Sequence, residues 1–419
     1  LSEYLDDWNK EDYLKSGQNK TYDVYLYSGH TYDVDLDVYT NDSSIDFELK
    51  VFDPSNNPED YTQHNPATQG IDVSLDLICD QTGSWKITVI SENGDAVFCL
   101  YVFDTTIETP SYEGTLSDPK QFLADYEKHY MDRYKIRLDQ YFSYDFELVF
   151  YPASADFEIQ IRNTAGNIIY TTNSAFGEDV SLDFIWDQLA GDYYLCIVKD
   201  PAGNPTMHGS YTLVAYRLNM GTTPFTGKSS PLYQRIVAND EKDIYKVHFD
   251  HLHSYDIDLT NFPSTADFEI QICDYLGTLI MNTTANIGES RSLDFPWVRV
   301  AGDYYVVVYR ESGEGGYTLT IWDLYIGTPS YTGKSAPSNQ KIIKNDMYDF
   351  YLVYLDRRCS YDIDLTAYSA HADFEISIAD QYKKMLYNST SGIGEDVSLD
   401  FIWTEESGEY YVVVNKEVG

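Results

Sequence analysis

The feature that most constrains this chain is a two-strand motif that occurs four times. One copy runs from Ser254 to Ile272, with the sequence SYDIDLTNFPSTADFEIQI. Apolar and polar residues alternate on both sides of a turn rich in Asn, Pro, Ser and Thr, which is the pattern of two half-buried β-strands. The marker phenylalanines of the four copies lie about 110 residues apart, a spacing that indicates repeated domains. They are Phe47, Phe157, Phe268 and Phe374.

A repeat of this length matches one ordinary domain, so the chain of 419 residues is predicted to contain four. The remaining strand patterns predict an all-β chain of four tandem antiparallel β-sandwich domains in a row, jelly-roll-like and with little helix. Asn93 and Gly94 predict a tight hairpin turn in the first of them. The predicted domains are 1–108 (leader plus repeat one), 109–222, 223–327 and 328–419 (each a linker plus one repeat).

Three kinds of segment fall outside the strand pattern. Residues 1–20 have no clean period and are predicted to be a leader, with one or two helical turns at most. The sequence DPKQFLADYEKHYMDR at 118–133 has helical character. Connectors that begin at Thr109, Thr223 and Thr328 carry prolines, which predicts semi-rigid linkers between the domains.

The fourth repeat lacks its closing strand. Repeat three closes with a strand at Tyr317 to Trp322, and repeat four has no counterpart before Gly419. A sandwich without this strand exposes an unpaired edge and a gap in its core. Two explanations stay open: the natural chain continues, or a strand of another subunit completes the domain.

Charge and composition exclude several classes of partner. Asp and Glu number 68 against 28 Lys and Arg, and a net charge of −40 argues against binding to nucleic acid or anionic lipid. No apolar run approaches the roughly 18 residues that would span a membrane. The sequence also contains four possible N-glycosylation sites, which favour an exterior protein. They are Asn19, Asn41, Asn282 and Asn388.

The motifs of repeat three resemble a known family. The Asp243–Tyr245 opening, SYDIDL, ADFEIQI, GESRSLDF, AGDYYVVVY and GYTLTI occur in the order and spacing of the bacterial and archaeal pre-peptidase C-terminal domain. Repeats two and four match well, and repeat one is the most diverged. The resemblance implies a β-sandwich fold and an extracellular or cell-surface location. It leaves the activity open, because the peptidase domain that the family accompanies is missing from this sequence.

No common catalytic motif is found in the sequence, so the chain is predicted not to be an enzyme. His248, His251 and His253 lie close together, but the other repeats lack them, which favours a solvated turn over a zinc site. Cys79 and Cys99 share a repeat and either form a disulfide or stay buried thiols.

The acidic residues of the repeated motif are the better candidate site. If the two strands of the motif pair, their outward carboxylates gather on one face, where like charges repel. Water and salt, basic groups of a neighbouring domain or subunit, or Ca²⁺ could relieve this repulsion. No cofactor is required, and Ca²⁺ is the one the pattern allows. The trial ligands are Asp256, Asp258, Asp267 and Glu269, with Asp362, Asp364, Asp373 and Glu375 in repeat four.

Paired tyrosines at 193–194, 304–305 and 410–411 alternate faces, so one ring of each pair packs inward and the other faces out. The outward ring is either an ordinary surface ring, which is the favoured interpretation, or a surface for stacking on a sugar or for a protein interface. Together these features favour an extracellular structural or interaction protein, a subunit of a surface filament, sheath or S-layer-like assembly. Copies of the chain itself are the predicted partners. The alternative is a polysaccharide- or protein-binding accessory region of a secreted hydrolase or adhesin, with surface glycans among its partners.

Overall fold

The structure is a computed structural model, and every described residue lies in a strand, a turn or irregular backbone. The described residues are 8–39, 44–64, 73–107, 113–115, 121–123, 131–149, 156–172, 179–199, 209–222, 225–230, 234–283, 286–327, 342–343, 346–366 and 371–418. They contain no helix of the length and hydrophobicity that crossing a membrane requires.

The chain divides into two compact units. The first contains residues 1–182 and 186–217, and the second contains 183–185 and 218–419. Each unit carries two of the sequence repeats. The division into four domains with the boundaries given above therefore stays a prediction.

Among the described residues, the first unit contains eighteen strands, one of which ends in residues 183–185 of the second unit. They are β1 (Trp8–Leu14), β2 (Asn19–Leu26), β3 (Thr31–Tyr39), β4 (Asp46–Phe52), β5 (Pro58–His64), β6 (Val73–Ile78), β7 (Gly83–Asn93), β8 (Ala96–Asp104), β9 (Thr106–Ile107), β10 (Glu113–Thr115), β11 (Gln121–Leu123), β12 (Met131–Leu138), β13 (Ser143–Val149), β14 (Phe157–Arg162), β15 (Ile168–Thr171), β16 (Val180–Ile185), β17 (Gly191–Lys199) and β18 (Gly209–Arg217).

These strands form two pairs of sheets. In the first sandwich, the sheet β1-β8-β3-β6 faces the sheet β2-β7-β4-β5. One continuous core fills the space between them and includes Val34, Phe47 and Trp85, all fully buried. In the second sandwich, β15-β14-β17-β12-β9 faces β10-β18-β13-β16, and β11 also pairs with β18.

The second unit is built from the other eighteen strands. They are β19 (Asn219–Gly221), β20 (Thr226–Ser229), β21 (Arg235–Ile236), β22 (Lys242–Phe249), β23 (Ser254–Thr260), β24 (Asp267–Cys273), β25 (Leu279–Asn282), β26 (Arg291–Pro296), β27 (Gly302–Ser312), β28 (Gly315–Gly316), β29 (Thr318–Asp323), β30 (Tyr325–Gly327), β31 (Tyr348–Leu355), β32 (Ser360–Leu365), β33 (Asp373–Ala379), β34 (Met385–Thr390), β35 (Val397–Ile402) and β36 (Gly408–Val418).

The third sandwich pairs the sheet β19-β22-β27-β24-β25 with β20-β29-β23-β26, and β21 and β28 form a short ribbon beside them. The inward residues expected from the alternation, Ile257, Leu259, Phe268 and Ile270, are completely buried. The last sandwich pairs β30-β31-β36-β33-β34 with a sheet in which only β32 and β35 are described. The predicted all-β, tandem-sandwich architecture is therefore confirmed.

A short strand precedes the first long strand of the second, third and last sandwiches. β9 pairs in parallel with β12, β19 with β22, and β30 with β31, whereas the other described pairings are antiparallel. Each connecting strand therefore enters a sheet of the sandwich that follows it. Within each unit, this pairing gives the start of the following sandwich a hydrogen-bonded backbone.

Several local predictions are wrong. Within residues 1–20, β1 pairs along its whole length with β8, and β2 begins at Asn19. In the stretch expected to be helical, Gln121–Leu123 and residues 131–133 are strands, because they pair with β18 and β17. The start of the connector at Thr109 lies outside the described residues, as does Thr223, but Thr226–Ser229 just beyond it forms an edge strand paired with β29.

Gly94 has the positive φ, 84°, that the Asn-Gly signal predicts. The turn nevertheless does not form a hairpin, because β7 and β8 belong to opposite sheets. The sharp reversal carries the chain across the sandwich. The ring of Phe98 on β8 accordingly packs on that of Phe47 on β4, in the facing sheet, at 5.9 Å.

Candidate functional sites: buried carboxylates and an open sandwich

Three aspartates meet where the last sandwich begins. Asp256 on β23 lies directly opposite Asp294 on β26, and Asp349 on β31 approaches both. One carboxylate oxygen of each lies within 4.8 Å of the others. Asp256 and Asp349 are almost completely buried. Because Ile257 points into the third sandwich, Asp256 points outward, toward the first strand of the last one.

Two further aspartates surround this cluster. Asp258 and Asp346 are 6% and 3% exposed. The Oγ of Ser292 lies 3.1 Å from an oxygen of Asp256 and 3.1 Å from an oxygen of Asp294. A hydroxyl group has one proton to donate, so both contacts are favourable only when one of these carboxyl groups is itself protonated.

The carboxyl groups of the cluster resist ionisation. Burial raises the pKa of Asp294 well above its ordinary value, and the neighbouring aspartates raise it further. Burial and the charge of Asp346 raise the pKa of Asp258 to about 7. Burial also raises the pKa of Asp346, although the Lys416 ammonium opposes that shift. Chemically, the cluster can retain protons near neutral pH or bind a hard cation through its oxygens.

The first unit contains a related arrangement. Asp33 on β3 lies opposite Asp76 on β6, in the register that Asp256 and Asp294 share. The backbone N–H of Arg133 donates to Asp76 at 3.1 Å, and the Tyr211 hydroxyl donates to Asp132 on β12. Burial, followed by the charges of neighbouring aspartates, raises the pKa values of Asp76 and Asp132 well above normal. In both units, therefore, two aspartates lie opposite each other on one sandwich, and a third Asp lies on the first long strand of the sandwich that follows.

The predicted calcium ligands do not come together as expected. β23 pairs with β26 and β29, whereas β24 lies in the facing sheet between β25 and β27. Asp256 and Asp258 are therefore separated from Asp267 and Glu269. Asp267 instead accepts a hydrogen bond from the guanidinium of Arg291 at 2.6 Å.

The same correction applies to the last sandwich. Asp362 and Asp364 lie on β32, whereas Asp373 and Glu375 lie on β33 in the facing sheet. Glu375 accepts hydrogen bonds from the side-chain amide of Asn388. The premise that the two strands of the motif are neighbours is wrong, and calcium binding itself stays a prediction.

The residue that sequence reasoning missed is Asp349. Its signal was present, because an Asp two residues before a Tyr opens the first strand of three repeats, as Asp132, Asp243 and Asp349. The alternation of that strand identifies which side chains face the core. It carries no information about the preceding sandwich, whose carboxylates Asp349 approaches.

One sheet of the last sandwich is open. β23 and β32 have the same sequence through Ser-Tyr-Asp-Ile-Asp-Leu, yet every one of these six residues is buried in β23 and exposed or half-buried in β32. In the third sandwich β29 pairs with β23 and places Ile321 opposite Ile257. Among the described residues, no strand occupies the corresponding edge of β32.

A half-open cavity of about 340 Å³ lies beside this edge, with a mainly apolar lining that also includes Asp362 and Asp364. Its lining includes Tyr351, Val353, Ile363, Ile376 and Val412. These inward-facing side chains come from both sheets of the last sandwich. In the third sandwich, Leu319 and Ile321 of β29 are fully buried. The cavity therefore lies where an alternating strand could bury its apolar side chains, each worth about 1.5–3 kcal/mol.

An exposed acidic pair marks the outer face of the same sheet. Asp362 lies opposite Asp400 in the register that Asp256 and Asp294 share. Both side chains are exposed. The charges of Asp364 and Asp400 raise the pKa of Asp362. The last sandwich thus presents an exposed acidic pair, whereas the equivalent pair of the third sandwich, Asp256 and Asp294, is covered by Asp349 of the last sandwich.

The three neighbouring histidines have separate partners. His248 contacts Asp303 at 2.8 Å, His251 contacts the carbonyl oxygen of Arg299 at 2.7 Å, and His253 contacts Asp323 at 3.0 Å. The groupings with metal-binding geometry found among the described residues contain aspartates alone. The structure therefore does not gather these histidines into a zinc site.

One tyrosine of each paired motif faces the core of its sandwich. Tyr193, Tyr304 and Tyr410 each pack edge-on against a buried tryptophan, with ring centroids 4.3–4.5 Å apart. Each hydroxyl donates to the carbonyl oxygen four residues earlier in the chain. These rings therefore take part in core packing. Their neighbours Tyr194, Tyr305 and Tyr411 lie on the opposite face of the strand, where Tyr305 and Tyr411 are buried and Tyr194 is half-buried.

The remaining sequence signals are on strands or in the core. Asn19, Asn282 and Asn388 are exposed, Asn41 lies outside the described residues, and glycosylation stays a prediction. All five cysteines are free thiols, and Cys79 and Cys99 are buried.

Comparisons with known proteins identify no family. No protein-family model matches the chain, and no curated protein sequence matches it. The resemblance to the pre-peptidase C-terminal domain stays an expectation, whereas the tandem β-sandwich architecture that it implies is present.

Similar solved structures include three with low scores. The tandem CBM22-1–CBM22-2 domain of Paenibacillus barcinonensis Xyn10C is 7% identical, covers 50% of this chain and 91% of its own, and has a TM-score of 0.18. The BSP domain of a biofilm-associated protein is 10% identical, with coverages of 98% and 94% and a TM-score of 0.18. A Sulfolobus turreted icosahedral virus structure is 12% identical, with coverages of 74% and 90% and a TM-score of 0.21. Likenesses this weak support no argument about function.

Proposed function

We propose that this chain is a structural or interaction protein of the cell exterior, a subunit of a surface filament, sheath or S-layer-like assembly. The observation that carries the proposal is the open sheet of the last sandwich. The same six residues are buried in β23 and solvent-accessible in β32. A sheet edge beside an apolar cavity is a surface suited to strand addition.

We commit to a second copy of the chain as the occupant of this face. A strand of a second copy has the side-chain pattern that this edge requires, because every sandwich of the chain is made of alternating strands with apolar side chains on one face. In the third sandwich, β29 shows the shape of such an occupant, with Leu319 and Ile321 directed into the core. Backbone hydrogen bonds supply the affinity and the alternate side chains supply the register.

The exterior location and the absence of an enzymatic role are parts of the same proposal. A net charge of −40 keeps such a protein soluble and disfavours contact with nucleic acid or an anionic membrane. Exposed Asn19, Asn282 and Asn388 are compatible with glycosylation. In this proposal the acidic clusters described above have no catalytic role, and Ca²⁺ is the cation that their oxygens would bind.

The test is assembly of the full chain and its inhibition by a strand mimic. We expect sedimentation and negative-stain electron microscopy to show end-to-end oligomers as the protein concentration rises. A peptide with the sequence of residues 316–323, GYTLTIWD, should bind the open edge and shorten the oligomers. The control peptide replaces Leu319 and Ile321 by Asp and should have no effect. Monomers at every concentration would contradict the proposal.

A binding role is the second candidate, and one observation favours it. The rings of Tyr25 and Tyr27 lie 5.4 Å apart and are 53% and 40% exposed. Exposed aromatic rings of this kind can contact a sugar or a protein partner. A glycan array with the wild-type chain and the Tyr25→Ala variant tests this role. Signals that the variant loses would support binding, and a blank array would remove the glycan alternative.

A further inference from the structure

Lys20 occupies a position that is acidic in the other repeats. The first long strand of the second, third and last sandwiches carries an Asp two residues before a Tyr, as Asp132, Asp243 and Asp349. In the first sandwich the same position, two residues before Tyr22 and at the start of β2, is Lys20. The charge at this position is therefore reversed in one sandwich only.

In the last sandwich this position forms the junction with the sandwich before it. Asp349 lies against the opposed pair Asp256 and Asp294, and burial keeps these groups from ionising freely. A Lys at the same position would instead place a positive charge over two carboxylates. That arrangement needs no proton or metal, because the ammonium donates charge-assisted hydrogen bonds to both acids.

The surroundings of Lys20 are open to such a contact. Its side chain is 46% exposed, and its described partner is Asp12, on the neighbouring sheet of the same sandwich. A solvent-exposed pair of this kind contributes little to stability, so Lys20 can exchange it for another acidic partner. β2 pairs with β7 along one edge, and no described strand pairs with its other edge. In the later sandwiches, the corresponding edge of the first long strand, β12, β22 or β31, pairs with a short connecting strand.

The matching surface is on the last sandwich. Asp362 and Asp400 repeat the opposed register of Asp256 and Asp294, but both are exposed. We propose that Lys20 of one copy docks on Asp362 and Asp400 of a second copy, so that the first sandwich of one chain takes the position of a following sandwich on the other. The proposal rests on the proposed function and specifies the head-to-tail contact that the assembly uses.

Charge complementarity makes this contact specific. The four sandwiches have similar strands, so apolar packing alone would allow many wrong pairings between copies. A first strand that carries Asp would add a third carboxylate to the exposed pair, whereas the first strand that carries Lys20 neutralises it. The first sandwich is therefore the one selected by the acidic face.

Cross-linking tests the contact directly. In a Cys359→Ser background, which removes the exposed native thiol, one chain carries Lys20→Cys and another carries Asp400→Cys. A short bismaleimide should join the two chains when they are mixed and should join neither to itself. The matched control is Lys10→Cys on β1, also exposed, which should give no product with Asp400→Cys. Equal yields for the two lysine positions would overturn the proposal.

Charge variants give a second, independent measurement. Lys20→Glu should weaken association at least about tenfold, Lys20→Arg should retain it, and combining Lys20→Asp with Asp400→Lys should restore it. Thermal unfolding of each variant shows whether it is folded. If the wild type assembles and Lys20→Glu assembles equally well, this contact is wrong while the proposed function stands. If the wild type gives no oligomers and the Lys20→Cys and Asp400→Cys chains give no cross-link, both fail.

Discussion

Asp256 lies directly opposite Asp294 on two paired strands of the third sandwich, with one carboxylate oxygen of Asp349 within 4.8 Å of both. Like charges placed opposite each other on a sheet destabilise it. The arrangement persists because burial holds protons on this group of acids. Asp362 and Asp400 lie opposite each other in the same register, but no described Asp covers them as Asp349 covers Asp256 and Asp294. This difference between two nearly identical motifs supports the contact proposed between copies of the chain.

The stability of the second unit should fall as the pH rises from about 4 to 8. Asp258 has a pKa of about 7 in the folded chain, against an ordinary value of about 3.9. A folded-state pKa above the unfolded one gives stability that is complete below about pH 4 and lost as the pH rises through 7. Calorimetry across this range measures the effect. Asp258→Asn, which cannot ionise, should show a flatter curve, and an identical slope would contradict this explanation.

Removal of metal ions tests whether bound protons or bound Ca²⁺ reduce the repulsion between the carboxylates of the cluster. Protons on Asp258 and Asp294 require no metal, whereas Ca²⁺ requires ionised carboxylates. We expect a chelator to leave the melting temperature unchanged at pH 6. A decrease in the wild type that is absent in Asp294→Asn would show that a cation binds there. A decrease lost in Asp267→Asn would instead support the set of ligands expected from the sequence.

Replacing the same isoleucine of the motif by alanine in two sandwiches should lower the free energy of unfolding by unequal amounts. Ile257 is fully buried under β29, whereas Ile363 is partly exposed and lines the open cavity. Ile257→Ala should lower the free energy of unfolding by about 2–5 kcal/mol, the range for a packed core. Ile363→Ala should cost roughly 1 kcal/mol or less, because little packing is lost. Chemical denaturation measures both, and equal losses would indicate that the last sandwich is closed.

Two glycines separate backbone conformation from close packing. Gly288 has a φ of 74°, and a Cβ at this position would collide with the backbone of Ser264. Gly277 has a φ of 78° with no atom near the place of its Cβ. Gly277→Ala should cost about 1–2 kcal/mol through conformation alone. Gly288→Ala should cost clearly more in thermal unfolding, and comparable losses would show that the loop of Ser264 moves freely.

Local sequence periods predict the interior of each sandwich well. Ile257 and Phe268 are buried as the alternation requires, because a strand's side-chain period depends only on its own backbone. The same reasoning misplaced Asp267 and Glu269, since alternation does not say which strands are neighbours. The helix prediction failed at residues 121–123 and 131–133 for a related reason, because pairing with β18 and β17 outweighs a weak helical preference.

The sequence by itself therefore determined the repeat, the strands and their inward faces, since all three follow from local alternation and from self-similarity. Only the tertiary structure decided that Asp349 lies beside Asp256 and Asp294, and that Asp362 and Asp400 remain exposed. Those facts depend on which sheet faces which and on β29, which pairs with β23 and has no equivalent beside β32 among the described residues. Identical letters in β23 and β32 consequently become core in one sandwich and open surface in the other.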